Sequence, residues 1–213
     1  SSDVCSSDLL ATQYSELLVN QFQKANDYFL WQQVSGSAST YGGTCAVNGL
    51  ATTISSSTSG VVRYPATAAS CSAANILTQM DGMIATSSAD VADREDLTFF
   101  MSVTNFRNYL TGLRLANNFY FDPMSVTNRG GLYEMQYPFQ PNIKVVGTVG
   151  LQGLTNRIFL GPAKQIVAGT DLLSDFTEFQ LWYDINTDTL RHRISTKLGV
   201  NIAYPEFWVS SEV

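Results

Sequence analysis

The chain has 213 residues, 45% of them hydrophobic, so it can bury a sizeable core in one domain or in two joined lobes. Charged residues make up only 14%, against roughly 25% in ordinary soluble domains, and the net charge of -6 excludes an overall basic field for nucleic acid. No apolar run approaches the ~18 to 20 residues that span a bilayer, and no signal-peptide pattern opens the chain. We expect a soluble, intracellular protein whose uncharged polar surface suits contact with other protein.

The first nine residues, SSDVCSSDL, look like a translated sequencing adapter of the kind that recurs in metagenomic assemblies, and no Met precedes them. We therefore leave residues 1–9 out of the fold prediction as an artefact. The remaining cysteines, Cys45 and Cys71, are too few and too far apart for a zinc site or a disulfide framework. We expect two buried or idle thiols, because a bridge between them would need an oxidising compartment.

The first element is one long amphipathic helix. Apolar residues recur at spacings of three and four from Leu10 to about Trp31, the period of a helix with one buried face. The segment 35–70 is rich in Ser, Thr and Gly and is almost uncharged, so it predicts an extended, loop-rich excursion. Within it, Gly60–Tyr64 has the pattern of a short strand.

A helix, strand and helix follow in close order and predict a compact α/β lobe. Ser72 is a candidate cap for the first helix, in which Gly82 is a mild penalty. Leu97–Met101 is a short apolar and aromatic run typical of a buried central strand, and a second amphipathic helix begins near Thr104. The residues on the apolar faces of the two helices are Ile76, Leu77, Met80, Met83 and Ile84, then Phe106, Tyr109, Leu110 and Leu113.

Strand patterns fill the rest of the chain. Ile143, Val145 and Val149 alternate on one face, and the runs 158–160 and 164–167 are predicted strands joined at Gly161–Pro162. Two alternating runs then flank the polar turn 184–188 and predict a long β-hairpin, after which Pro205 ends any further ladder. The apolar side of this hairpin consists of Phe179, Leu181 and Tyr183 on one strand and Leu190, His192, Ile194, Thr196 and Leu198 on the other.

With these elements in this order, the chain resembles the C-terminal part of the Hong Kong 97-type major capsid proteins of tailed phages, particularly the versions of gut phages. The resemblance extends from about Leu9 to Val209, and the order of segments is more specific than any one motif. It is carried by the helix ending in YFLW, the block DGMIATSSADVADREDLTFFMSVTNFRNYL, the run NIKVVGTVGLQG, and GTDLLSDFTEFQLWYD followed by LRHRISTKLGVNIAYPEFWV.

The resemblance implies an α+β fold with a long spine helix, an α/β axial lobe and a peripheral β-sheet that ends in, and is lengthened by, the long hairpin. On this basis residues 10–34 form the spine helix, 35–71 the extended excursion, 72–141 the axial lobe and 142–213 the β-rich segment that returns to the peripheral domain. The family's N-terminal arm is missing, as in a gene fragment. The 35–70 excursion follows the spine helix, whereas the family's extended loop precedes it, so the two are not equated.

The function implied by the resemblance is structural. Copies of the chain would assemble into hexamers and pentamers of an icosahedral phage head, in the cytoplasm of the host bacterium and then in the virion. Partners would be the chain itself, portal, scaffold or decoration proteins, and packaged DNA held on the inner face without sequence specificity; no membrane is involved. We expect no enzyme activity, no cofactor and no autocatalytic Lys–Asn crosslink. Two alternatives stay open: an encapsulin-like compartment shell with the same fold, and a secreted β-rich binding module.

Few residues suggest chemistry. Asp171 and Asp175 could form a paired carboxylate site, but turn and capping roles explain them better, and a Ca²⁺ clip is the residual hypothesis. His192 is the only histidine, which excludes most multi-histidine metal sites and favours a packed or pore-facing residue. Gly147, Gly150 and Gly153 fit no phosphate-loop spacing, so turns and close strand contact explain them. We expect no catalytic, cofactor or metal site.

Two surface features remain. Arg191, Arg193 and Lys197 form a basic stripe on the last strand, which favours solvated or inter-subunit charge pairs over contact with packaged DNA. Aromatic residues are frequent, and those on alternating strand faces are expected to fill the core, whereas Phe207 and Trp208 are interface candidates. The other aromatic residues considered are Trp31, Tyr133, Tyr137, Trp182 and Tyr204.

Overall fold

A computed structural model of the chain describes ten stretches of residues. These are 3–38, 47–55, 60–65, 71–116, 126–129, 132–138, 140–170, 178–187, 189–195 and 198–212. Four α-helices are present there: α1 (Asp3–Gln32), α2 (Leu50–Thr53), α3 (Ile76–Thr86) and α4 (Val103–Leu115). The strands are β1 (Val62–Pro65), β2 (Leu97–Ser102), β3 (Thr127–Arg129), β4 (Leu132–Tyr137), β5 (Gln140–Thr148), β6 (Ile158–Pro162), β7 (Ile166–Gly169), β8 (Glu178–Asp184), β9 (Thr189–Ser195), β10 (Gly199–Ile202) and β11 (Val209–Glu212).

The long N-terminal helix is confirmed, and it is longer than expected. α1 runs without interruption from Asp3, so it includes residues 3–9, which the fold prediction left out. The segment contains neither Gly nor Pro, and nothing in it would break a helix. The helix ends at Gln32, and Gly36 then takes a positive φ of 79° in the turn that follows.

A mixed seven-stranded sheet forms the centre of the fold, in the order β1-β11-β6-β2-β5-β4-β3. The predicted central strand is confirmed: β2 lies in the middle of the sheet, and all six of its residues are buried. It runs parallel to β5 and antiparallel to β6, with Phe99 opposite Val145 on one side and Leu160 on the other. Because alternate side chains of a strand point to opposite faces, β2 contributes to two hydrophobic cores.

The first core lies between the sheet and the helices α3 and α4. Phe99 and Met101 of β2 face it, and Phe106 and Tyr109 of α4 pack against them. Gly82 is not the penalty that helix propensity suggested, because a Cβ at this position would overlap the ring of Tyr64 on β1. The missing side chain is what lets α3 approach the edge of the sheet.

The second core lies on the opposite face and anchors the end of α1. Trp31 stacks on Phe159 with ring centroids 6.1 Å apart and also contacts Phe100 at 5.2 Å. Trp208 also stacks on Phe100, with ring centroids 6.0 Å apart. Since a buried aromatic side chain removes 150 to 250 Å² from water, this cluster is a main attachment of α1 to the sheet.

Two local predictions are wrong. Ser72 does not cap α3 with its side chain; the helix begins at Ile76, and the Asn75 carboxamide oxygen accepts a bond from the Ser72 backbone N–H at 2.6 Å. Gly161 and Pro162 do not join two strands but continue β6, where Pro162 pairs with Leu97 of β2. Pro is tolerated there as the last residue of the strand, because the ladder ends with it.

The long hairpin is confirmed as β8 and β9, with Leu181 opposite His192 and Tyr183 opposite Leu190. Among the described residues, however, it forms a two-stranded sheet of its own and does not lengthen the central sheet. A second small sheet pairs β7 with β10. After β10, Pro205 opens a short 3-10 turn, and the chain re-enters the central sheet as β11, a strand that the sequence analysis did not predict.

The central sheet combines strands from three of the predicted segments. β1 belongs to the 35–71 excursion, β2 and β4 to the 72–141 lobe, and β6 and β11 to the C-terminal segment. The segment boundaries themselves stay predictions. In the part of the chain that the structure describes, no helix is both long and apolar enough to cross a membrane.

Candidate assembly surfaces

The β8–β9 hairpin carries the most exposed group of apolar side chains. Trp182 and Tyr183 keep 44% and 56% of their surface accessible, and Ile185 in the turn keeps 84%. Consecutive residues of a strand point to opposite faces, so Trp182 and Tyr183 place an aromatic ring on each face of the hairpin. An isolated two-stranded hairpin is only marginally stable in water. These exposed rings therefore suit contact with a further surface.

The turn of the hairpin is held by Asp184. Its Oδ1 accepts the backbone N–H of Asn186 at 3.0 Å, and its Oδ2 pairs with the Arg191 guanidinium at 2.8 Å. The first contact lies within the turn and the second joins the two strands across it. They fix the geometry of the turn more than they stabilise the fold, since surface ion pairs contribute ~0 to 1 kcal/mol. The turn therefore presents Ile185 in a defined position.

Of the three residues in the predicted basic stripe, only Arg191 has a described side chain. Arg191 is exposed and pairs within its own chain with Asp184, an intramolecular charge pair that the sequence analysis did not consider. Arg193 lies on β9, and the structure describes its backbone only. Lys197 lies outside the described residues. His192 occupies the same strand opposite Leu181, in the register expected of the apolar side.

The prediction that Phe207 and Trp208 lie at an interface is wrong for Trp208. Trp208 is completely buried, because the chain turns at Pro205 and carries the indole into the second core. Phe207 is partly buried against the first core, with its ring 5.8 Å from that of Tyr204, which is exposed. Of the residues expected in the core, Trp31 and Tyr137 are buried, Tyr133 is half-buried beside Phe106, and Trp182 is exposed.

The predicted turn is present at Gly153, but the close contacts of Gly147 and Gly150 are with helices and not with strands. A Cβ at Gly147 would lie 2.7 Å from the Phe106 Cβ, and one at Gly150 would lie 2.6 Å from the Trp31 ring. Gly153 takes a φ of +95° in the turn after β5. Two of the three glycines admit a helix against the sheet, and the third turns the chain.

Around Gly150, polar side chains of α1 bind the backbone of the turn that follows β5. The Asp27 carboxylate accepts the Thr148 hydroxyl at 2.5 Å and the Gly150 N–H at 2.7 Å. The Gln32 amide donates to the carbonyls of Gly150 at 2.5 Å and Gln152 at 2.9 Å. Local sequence patterns could not predict this contact, because the partners lie about 120 residues apart and neither Asp27 nor Gln32 belongs to a motif. We call these five residues the α1 clamp.

A second unpredicted group joins α3, α4 and β4. The Tyr137 hydroxyl donates to Asp81 Oδ1 at 2.5 Å, and the buried Tyr109 ring stacks on that of Tyr137 at 6.3 Å. Burial, and then the nearby Asp81 carboxylate, raise the pKa of Tyr109; burial and the hydrogen bond to Asp81 raise that of Tyr137. Both phenols are therefore neutral at physiological pH, and their role is packing.

The candidate metal ligands and cysteines of the sequence differ in how far the structure describes them. No three His, Cys, Asp or Glu side chains come together there in a way that could hold a metal ion. Asp171, Asp175 and Cys45 lie outside those residues, so the Ca²⁺ hypothesis stays a prediction. Cys71 is a free thiol, and burial raises its pKa to about 11. This agrees with the prediction of a buried, idle cysteine.

No family model and no curated protein matches the sequence. Eleven chains of solved structures match the fold. One comes from the structure titled "Satellite phage P4 procapsid including size determination (Sid) protein", with a TM-score of 0.53 and 11% sequence identity. The alignment covers 97% of this chain and 64% of that chain, so the present chain spans less than two thirds of its structural neighbour.

At 11% identity the likeness concerns the fold alone. The chain has a mixed α and β fold, built on a mixed sheet, that is similar to a chain of a phage procapsid structure. This agrees at the coarse level with the capsid fold that the sequence resemblance implied. The Hong Kong 97-type assignment, with its named spine helix and peripheral domain, stays a prediction.

Proposed function

We propose that the chain is a structural subunit of a tailed-phage head of the Hong Kong 97 type. Many copies would tile through lateral contacts into hexamers and pentamers and close into an icosahedral shell around DNA. The observation that carries this proposal is the likeness to a procapsid chain over 97% of the present chain. It gains support from the sequence resemblance, which was reached through a different set of features, the order of segments along the chain.

The distribution of side chains also supports a structural role. The described ionisable side chains are mostly surface charges or members of short ion pairs, such as Arg94 with Asp96 and Lys144 with Glu134. Apolar side chains are exposed on the hairpin and on α1, at Leu17 and Val19. In a repeated assembly, modest contacts of this kind add up through symmetry to a stable shell. We propose accordingly that the chain is not an enzyme.

The direct test is assembly of the purified chain. We expect size-exclusion chromatography and negative-stain microscopy to find regular closed particles or rings with six- and five-fold symmetry. A chain that stays monomeric across protein concentration and ionic strength, while circular dichroism reports a folded protein, would count against the proposal. A covalent ladder on denaturing gels would contradict the expected absence of crosslinking.

The content of the particles separates a phage head from an encapsulin-like compartment. A head subunit co-expressed with the packaging proteins of its own gene neighbourhood should enclose nuclease-resistant DNA. A compartment shell would retain a folded cargo enzyme after the same purification. Recovery of a protein cargo without DNA would replace the head with the compartment, since the two share one fold.

A further inference from the structure

The α1 clamp concentrates polar contacts near the C-terminal end of a long helix. Within the described part of the chain, α1 packs mainly on the 149–151 turn and on α2, through its last two turns. Earlier along the helix, Leu17, Val19 and Lys24 are exposed. Among residues 16–32 of α1, whose side chains the structure describes, the attachment is therefore concentrated in the last two turns, and we call residues 16–26 the arm.

The clamp and the Trp31 ring constrain this arm differently. The Trp31 indole lies in an apolar cluster, and such packing resists withdrawal but is not strongly directional. The Asp27 carboxylate instead binds two donors, at 2.5 and 2.7 Å, on a turn about 120 residues away. Hydrogen bonds to a charged group are directional and short. Gly150 brings helix and turn into contact, since a Cβ there would overlap the Asp27 backbone.

We propose that Asp27, through Thr148 and Gly150, sets the direction in which α1 leaves the sheet, and thereby the angle between neighbouring subunits of a shell. The consequence for assembly follows from length. Asp27 lies about 15 Å from Leu17 at 1.5 Å per residue, so a tilt of about 10° at the clamp moves Leu17 by about 3 Å. Displacements of that size change the curvature of a closed shell. Asp27 is a positioning residue in this scheme, and the scheme rests on the proposed function.

The first test measures the arm in the unassembled chain. Spin labels are placed at L17C on α1 and T78C on α3, both exposed, in a chain whose Cys5, Cys45 and Cys71 are replaced by Ala. We expect Asp27→Ala to broaden the distance distribution about twofold and to accelerate amide exchange at Gly150 by about 10- to 100-fold. Glu16→Gln, an exposed carboxylate on the same helix outside the clamp, is the matched control and should change neither.

Thr148→Val serves as a second variant if Asp27→Ala does not fold, because it removes one hydroxyl and keeps the branched side chain. It should broaden the distribution in the same direction but less. An unchanged distribution in a folded Asp27→Ala chain overturns the proposal.

The second test examines shells by electron microscopy. We expect the wild-type chain and Glu16→Gln to give one narrow distribution of diameters, and Asp27→Ala to give a wider one. A wider distance distribution with unchanged shell diameters overturns the link to curvature and leaves the proposed function standing. Failure of the wild-type chain to form shells strikes the proposed function itself.

Discussion

The indole of Trp208 lies directly over Gly161, so closely that a Cβ on the glycine would fall 2.7 Å from the indole Cε2. Gly161 belongs to β6, and Trp208 immediately precedes β11, the neighbouring strand of the sheet. The Trp208 indole, the largest side chain of the second core, therefore packs directly on the backbone of Gly161. This contact packs the residue that precedes β11 against β6, the strand beside the central strand β2.

Gly161→Ala should therefore destabilise the protein by about 1 to 3 kcal/mol, the usual cost of overpacking a well-packed core. The measurement is urea unfolding followed by tryptophan fluorescence. Gly169→Ala on β7 is the matched control, since a Cβ there would meet no atom within 4 Å. It should change the free energy of unfolding by no more than about 0.5 kcal/mol. Equal effects of the two substitutions would mean that Trp208 does not pack on Gly161.

The Trp208–Gly161 contact illustrates the difference between features that can be predicted from the sequence and features that cannot. Patterns within a short segment identified α1, the buried strand β2, helix α4 and the β8–β9 hairpin, because hydrophobic periodicity is a local property. The burial of Trp208 was missed because it depends on a turn at Pro205 followed by a short strand without alternation. The α1 clamp was missed because two segments about 120 residues apart create it, and only the fold brings them together.

Cys71 should be nearly inert in the folded protein. Burial disfavours the thiolate and raises the pKa to about 11, and the Sγ lies 3.3 Å from the Gln79 carboxamide oxygen, to which it donates. At pH 8, a rise from 9.0 to about 11 lowers the thiolate fraction about 100-fold. We expect iodoacetamide to label Cys71 at least that much more slowly in the native chain than in urea, with Cys5 and Cys45 replaced by Ser. Equal rates in the two states would place Cys71 at the surface.

The two stacked tyrosines should differ in their contribution to stability. Tyr137→Phe removes a hydrogen bond to Asp81 and should cost about 0.5 to 1.5 kcal/mol. Tyr109→Phe should be nearly neutral, because the buried Tyr109 hydroxyl has no hydrogen-bond partner among the described residues. Chemical denaturation of the two single variants at pH 7 measures the loss of stability for each. A larger loss for Tyr109→Phe would indicate a partner of that hydroxyl outside the described residues.

The pH dependence of the same pair follows from the direction of its pKa shifts. Burial raises the pKa of both phenols above their ordinary value near 10, so the folded state keeps its protons where the unfolded state releases them. The contribution is fully present below pH 10 and is lost progressively as the pH rises above it. The double variant Tyr109→Phe with Tyr137→Phe should lose less stability than the wild type between pH 9 and pH 11. Parallel curves would show that other groups govern the alkaline transition.

The hairpin supplies the last prediction, which separates stability from assembly and rests on the proposed function. Trp182 and Ile185 are exposed and lie outside both hydrophobic cores, so replacing each with Ser should lower the melting temperature by no more than a degree or two. In a shell these side chains would be covered by a neighbouring copy, and aromatic residues in such positions dominate the binding energy.

We expect Trp182→Ser with Ile185→Ser to raise the protein concentration required for assembly by about tenfold or more, the equivalent of ~1.4 kcal/mol per contact. Leu132→Ser, which removes an exposed apolar side chain on β4 of the central sheet, controls for a general loss of surface hydrophobicity. Light scattering across a concentration series gives the threshold for each variant. Unchanged assembly of the hairpin variant would remove the hairpin from the interface, whereas a large fall in its melting temperature would mean that the hairpin packs on its own chain.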